Sequence, residues 1–416
     1  MNDAKIINDP VFGFIRIPRG LLYDIVKHPL FQRLTRISQL GLASVVYPGA
    51  RHTRFQHSLG AFHLMGEALL TLQQKGQFIF DSEAEGVQAA ILMHDIGHGP
   101  FSHVLEHTLI SGISHEDISL MMMEHINRDL HDQLALAIAI FRDRYPKRFL
   151  HQLISSQLDI DRLDYLRRDA FFTGVAEGTI GSARIIKMLN VVDDRLVVEQ
   201  KGIYSIENYL TSRRLMYWQV YLHKTTVAYE KMLVSTLRRA RLLACRSAAD
   251  GGRTAMPFAS PALAFFLSND INEERFADDP QVLQMYSELD DSDIWSAMKA
   301  WRHSPDPILS TLAADLLDRR LWRCEMSDQP FDEQYVDDLR QQLARTMCVS
   351  LDDTDYLLQV VSAAKDMYSP TEDAIAILQK DGTVTDITQA SELLSSNSVQ
   401  TGNVRRYFLC HLRMPV

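Results

Sequence analysis

The chain has 416 residues, with 43 Lys and Arg against 53 Asp and Glu, a formal charge of −10. Apolar residues make up 46% and charged residues 23%, which excludes a disordered chain, a collagen-like repeat and a disulfide scaffold. The acidic balance argues against a broad nucleic-acid surface, and a chain of this length can bury a large core unaided.

In chain order, the residues up to about 330 read as mostly helical, because apolar positions recur at three and four among good helix formers. Ser82-Glu83-Ala84-Glu85 reads as a capping box that opens a helix running to His94 and Asp95, where Gly97, Gly99 and Pro100 interrupt it. Ser114 to Asp117 reads as a second box, opening a helix through His125, and Leu134–Phe141 as a short core helix. Ser155 or Ser156 is expected to cap a helix ending near Gly174. Residues 250–255 and 268–280 read as loops. Later, Asp355–Ser362 and Arg406–Leu412 read as strands, and 374–379 and 383–387 as a hairpin about Lys380-Asp381-Gly382. The expected class is mainly α: a helical domain over 1–330, then a small α+β lobe over 331–416.

Four separated cysteines, Cys245, Cys324, Cys348 and Cys410, contain no CxxC pair. Reduced thiols in a cytoplasmic protein are expected, and a thiolate zinc site is not. The opening MNDAKIINDP lacks a basic segment followed by an apolar run, and no stretch reaches 18 uncharged apolar residues. Neither a signal peptide nor a membrane span is expected.

Histidines cluster between Arg51 and His115, in RHTRFQHSLG, HDIGHGPFSH and SHEDISL. His94-Asp95 closes an apolar run, and a carboxylate at the edge of a core needs a cation or many donors. Imidazole with carboxylate suits a divalent metal. In QLDIDRLDYLRRD, helical spacing puts Asp161, Tyr165 and Asp169 on one face. The same acids also fit a solvated face paired with Arg162 or Arg168, and a single helix-end histidine is commonly structural. Spacing alone leaves both readings open.

Residues 5–230 resemble the HD-domain phosphohydrolases, and within them the deoxynucleoside triphosphate triphosphohydrolase branch. The resemblance rests on KIINDPVFGFI, FQRLTRISQLG, YPGARHTRFQHSLG, HDIGHGPFSH, LDIDRLDYLRRD and YLHKTT, in that order. It implies a metal-site core over about 45–230, with one divalent cation (Mn, Fe, Zn, Ni or Mg) on His57, His94, Asp95 and Asp161. About two octahedral positions then stay open for water and a phosphate oxygen. Additional Mg would accompany the substrate triphosphate. The catalytic histidines fall on His98, His103 and His115. His103 is the candidate general acid, oriented by Glu106 where relatives carry Asp, and His98 and His115 would hold phosphate oxygens.

The resemblance further implies that Arg54, Arg162 (Lys in relatives) and Arg213 touch the triphosphate. Tyr165 and Asp169 meet the sugar and favour deoxyribose, and Tyr217 and Tyr221 continue the wall, Tyr217 standing where relatives carry His. An effector phosphate site is implied at Gln32, Lys201, Arg319 and Arg323. Lys27 and Thr35 replace the family's guanine-reading Asp and a phosphate-binding Arg, which weakens any GTP specificity. The expected partners are a dNTP substrate, a nucleotide effector and further copies of the chain, as a dimer or tetramer, with neither nucleic acid nor membrane. Two rival readings remain. One is an HD phosphohydrolase of nucleoside monophosphates or of cyclic or signalling nucleotides. The other is a non-catalytic nucleotide sensor or nucleic-acid-binding module.

Overall fold

The computed structural model describes residues 4–102, 108–365, 368, 374–394 and 404–414. It is 57% helical, with a few small sheets, and the chain is therefore mainly α. Six helices position the site: α1 (Arg54–Gln74), α2 (Asp81–Met93), α3 (His115–Asp129), α4 (Ile160–Thr173), α5 (Ile203–Met216) and α6 (Lys224–Ala249). α1 packs against both α2 and α4. Their apolar faces join one continuous buried cluster containing Leu59, Phe62, Met65, Ile91, Leu163 and Leu166. Among the described residues, no helix is long and apolar enough to cross a membrane.

The helix starts show where local reading succeeds. Ser114 caps α3 through its side chain, Oγ accepting from the Asp117 amide at 3.1 Å. α2 starts one residue before Ser82, with Phe80 rather than Ser82 at the cap. Glu83 accepts from the Phe80 amide at 2.8 Å and also binds Lys147 Nζ and Tyr145 Oη, both at 2.6 Å. That tertiary pull fixes the start. α4 is capped by Asp159, not by Ser155 or Ser156: its Oδ1 accepts from the Arg162 amide at 2.7 Å. The helix ends where Gly174 takes a left-handed φ of 74°.

Strands appear inside the region read as helical. β1 (Ala4–Asp9) and β2 (Gly13–Pro18) form an antiparallel hairpin. Its turn is tied by Asp9 Oδ1, which accepts from the amides of Val11 and Phe12 at 3.0 and 2.9 Å. A second hairpin is formed by β3 (Leu189–Val192) and β4 (Arg195–Glu199). The loop expected over 268–280 instead holds a short strand, Ile271–Asn272, paired with Ile110–Ser111, and a helix over Glu273–Asp278.

The late strands complete two sheets. β5 (Arg323–Ser327) and β6 (Leu358–Lys365) flank β9 (Val404–His411), both antiparallel to it. A 3₁₀ turn over Asp352–Tyr356 occupies the start of the stretch read as a strand from Asp355. β7 (Ala376–Leu378) and β8 (Val384–Asp386) form the expected hairpin, and β7 adds in parallel to β4, giving the order β8-β7-β4-β3.

One close approach on α1 fixes its distance from α4. A Cβ on Gly60 would lie 2.0 Å from Asp164 Oδ1 and 2.1 Å from Arg168 Nη2, and both side chains are fully buried. Gly60→Ala is therefore expected to destabilise the fold by about 3 kcal/mol or more, because a buried ion pair must move. A urea midpoint unchanged from the parent chain would contradict this.

Candidate metal centre and substrate cavity

His57 lies in the first turn of α1, His94 just past the end of α2, and Asp161 in the first turn of α4. The packing of these helices brings three distant segments together. His57 Nε2 stands 3.0 Å from Asp161 Oδ1 and 3.2 Å from His94 Nε2. His94 Nε2 stands 3.4 Å from both Asp161 Oδ1 and Asp95 Oδ1, and Asp95 Oδ2 lies 3.7 Å from His57 Nε2. Donor atoms of His57, His94 and Asp161 all fall within 4.8 Å of one another.

The opposite ring nitrogens settle the tautomers. His94 Nδ1 meets the Ile91 carbonyl at 2.7 Å, and a carbonyl can only accept, so Nδ1 carries the proton. His57 Nδ1 likewise donates to Asp164 Oδ2 at 2.6 Å. Both Nε2 atoms then face the acids, and a cation that displaces their protons would meet the two lone pairs.

Electrostatics agree with that donor set. Burial alone pushes His57 down, but hydrogen bonds to Asp161 and Asp164 and the charge of Asp95 raise it to about 10. His94 is also raised, Asp95 and Asp161 outweighing burial. Asp161 and Asp95 are held low, the nearby imidazoles outweighing their burial. The cluster thus demands positive charge at its centre, and a divalent cation meets that demand with the residues present.

A buried relay supports His57. Arg168 donates to Asp164 from Nε at 2.9 Å and from Nη2 at 3.0 Å, and Nη1 donates to Asp9 at 2.7 Å. Asp9 had no assigned role in the sequence reading, and Arg168, expected there only as a partner on a solvated face, is instead fully buried with Asp164. The readable signal was the i,i+4 spacing of Asp164 and Arg168 on α4.

The turn after His94 is pinned from several sides. Ser119 Oγ donates to the His94 carbonyl at 2.8 Å and accepts from the Gly97 amide at 2.9 Å. A Cβ on Gly97 would lie 2.3 Å from the His115 carbonyl, so only glycine lets α3 come this near. His98 and His115 consequently stack, ring centroids 3.9 Å apart and planes at 17°. His98 Nε2 is 3.4 Å from Asp95 Oδ1. Burial, with Arg54 nearby, pushes His98 down to about 3, so at neutral pH it offers a neutral ring and not a cation. Arg54 donates to Asp95 at 2.5 Å and to Ser102 Oγ at 3.3 Å. His103 and Glu106 lie outside the described residues.

A cavity of about 600 Å³ opens beside the cluster. Arg54, Asp95, His98, His115, Asp161 and Arg162 line one end, Tyr165, Asp169, Tyr217 and Tyr221 continue the wall, and Ser38–Ala43, Thr226 and Glu230 are among its other lining residues. Asp161, Tyr165 and Asp169 therefore share the face that their spacing predicts. Asp169 accepts from Tyr221 Oη at 2.7 Å and meets His52 Nε2 at 2.8 Å; His52 was absent from the sequence reading. Tyr217–Tyr221 is a single π-helical turn between α5 and α6, a local widening frequent at functional sites.

The expected phosphate cations differ in placement. Arg162 lines the cavity, but its Nη1 donates to Asp159 and to the Ser156 carbonyl. Arg213 is buried, and its charge acts on Tyr165, which lines the cavity, and on Tyr209. The four expected effector residues are engaged separately. Gln32 donates to the Val26 carbonyl at 2.7 Å and Arg319 to the Val45 carbonyl at 3.0 Å, while Lys201 and Arg323 pair with Glu199 and Glu325 at 3.1 and 3.2 Å.

The HD domain family matches residues 54–169, and the HD associated region matches 180–249. An uncharacterized Bacillus subtilis protein, YwfO, is 31% identical, spanning 96% of this chain and 90% of its own length. The human deoxynucleoside triphosphate triphosphohydrolase SAMHD1 is 31% identical over 58% of this chain, and the match covers 45% of the human protein. The Dictyostelium discoideum SAMHD1 homolog is 30% identical, with 57% of this chain and 49% of that protein aligned. The chain thus spans about half the length of these two. A crystal structure of a phosphohydrolase from Bacteroides thetaiotaomicron is 60% identical, with a TM-score of 0.94, covering 99% of this chain and 100% of that one.

Proposed function

The chain belongs to the HD-domain phosphohydrolases, and we propose that within this family it hydrolyses deoxynucleoside triphosphates to deoxynucleoside and inorganic triphosphate. The observation carrying this reading is the convergence of His57, His94, Asp95 and Asp161 at one end of a cavity whose wall continues through Arg162, Tyr165 and Asp169.

His57 and His94 through Nε2, with Asp95 and Asp161 as the neutralising carboxylates, would hold a divalent cation there, which would supply Lewis-acid chemistry to a phosphate oxygen and an attacking water. Arg54, already anchored on Asp95, stabilises charge building on the phosphate. His98, neutral, and His115 donate N–H bonds to phosphate oxygens. His103 and Glu106 lie outside the described residues, and the resemblance alone assigns His103 the proton that goes to the leaving 5′-oxygen. Tyr165 packs beneath the sugar, and Asp169 has lone pairs left for a 3′-hydroxyl beyond those used by Tyr221 and His52.

The test is incubation of purified protein with each dNTP and Mg²⁺ or Mn²⁺, with chromatographic resolution of products. Deoxynucleoside plus triphosphate is expected; dNMP with pyrophosphate would reassign the bond cleaved. Tyr165→Ala should lower the dNTP-over-NTP ratio of kcat/KM about 10- to 100-fold, since a steric wall at C2′ is lost. An unchanged ratio would remove Tyr165 from sugar selection.

One observation favours a second reading. Arg162 is committed to Asp159 and Ser156, which leaves one cation fewer for a triphosphate. A nucleoside monophosphate needs fewer. Turnover of dNMP with none of dNTP would select that reading. Assembly into a dimer or tetramer belongs to the first reading, and light scattering with and without nucleotide tests it.

A further inference from the structure

Away from the cavity, the sheet formed by β5, β9 and β6 brings two cysteines together. Cys324 on β5 and Cys410 on β9 are direct partners in the antiparallel register. Cys410 Sγ lies 3.2 Å from Cys324 Sγ, and Cys410 is fully buried while Cys324 is half-buried. The chain's other two cysteines, Cys245 and Cys348, are exposed.

We propose that Cys324 and Cys410 form a reversible dithiol–disulfide site whose oxidant is a low-molecular-weight disulfide. Facing residues on antiparallel strands stand about 4.5–5.5 Å apart at Cα, inside the roughly 4.4–6.8 Å that a disulfide spans. Closing the bond therefore needs rotation about the cysteine side chains and no backbone shift.

The two sulfurs have different roles. Cys324 is the one that solvent reaches. The hydrogen bond from Cys410 lowers its thiol, and Lys224 adds to the effect despite partial burial. Cys324 thiolate attacks one sulfur of the small disulfide, forming a mixed disulfide and expelling one small thiolate. Cys410 then attacks Cys324 Sγ and expels the second. Two cysteine thiols are oxidised, the small disulfide is reduced to two thiols, and the two cysteine protons pass to the two leaving thiolates.

The position gives the bond a reach toward the cavity. β5 and β9 both pack on α6, whose first turns carry Thr226 and Glu230 into the cavity wall. Closing the bond ties the two strands that support that helix, across a loop of more than eighty residues, and so raises the thermal midpoint by several degrees.

The test uses the full chain in a series of reduced and oxidised glutathione, quenched with acid, alkylated under denaturing conditions and read by intact mass and peptide mapping. Alkylatable thiols should fall from four to two per chain, with one cross-linked peptide pair containing Cys324 and Cys410. Four alkylated thiols at every ratio, or a cross-link through Cys245 or Cys348, would overturn the proposal. Cys410→Ser should trap glutathione on Cys324, whereas Cys324→Ser should leave Cys410 unmodified. An adduct on Cys410 without one on Cys324 would overturn the order of attack.

Discussion

Asp161→Ala is expected to abolish metal retention and lower kcat/KM by at least about a thousandfold, equivalent to roughly 4 kcal/mol of transition-state stabilisation. Asp161 Oδ1 lies within 3.4 Å of both imidazole Nε2 atoms, so its loss takes away the oxygen that faces both histidines. The fold should survive, because the Asp161 side chain is 26% exposed and His57 keeps Asp164 behind it. Elemental analysis of the purified variant, circular dichroism and turnover read the three parts separately. Full turnover by a metal-free variant would place the reacting centre elsewhere.

Arg168→Met is expected to cost about 3–5 kcal/mol and to weaken metal binding about 10- to 100-fold. The first figure follows from leaving Asp9 and Asp164 buried without their shared cation, the second from loosening the carboxylate that orients His57. In the parent chain Asp164 sits below its ordinary value, because Arg168 and His57 outweigh its burial. Its contribution is thus full above the usual carboxylate range and is lost only as pH falls through the depressed value. In the variant Asp164 keeps only its bond to His57, so burial raises it relative to the parent and it takes up a proton earlier on acidification. The stability gap between parent and variant should therefore be widest near neutral pH and narrow as pH falls. Denaturant midpoints at several pH values check this; a gap that widens toward acid would mean that Asp164 is not the group left unpaired.

What the sequence made legible follows from how local each feature is. The Ser114 cap, the left-handed end at Gly174 and the Lys380-Asp381-Gly382 turn are decided within a few residues, and all were readable. The α2 start was not, because Glu83 is held by Tyr145 and Lys147, 62 and 64 residues away. The hairpins over 4–18 and 189–199 escaped notice inside a helical pattern, since strand pairing depends on partners that a local window omits. The cluster of His57, His94 and Asp161 was readable through motif order. The relay behind His57 was not, although Asp164 and Arg168 share a helix face, because Asp9 joins from across the fold. The pairing of Arg162 with Asp159 shows that two readings of the acidic helix hold together: the Arg lies on the cavity and is also an ordinary i,i+3 partner.

The contact between Asp9 and Arg168 spans 159 residues, and this sets an order of events during synthesis. The opening hairpin leaves the ribosome long before the helix that carries Arg168. Until that helix emerges, Asp9 has no guanidinium to meet and His57 no oriented carboxylate. A nascent chain therefore assembles the cluster of His57, His94 and Asp161 late, once the hairpin that carries Asp9 has folded back onto a segment made much afterwards.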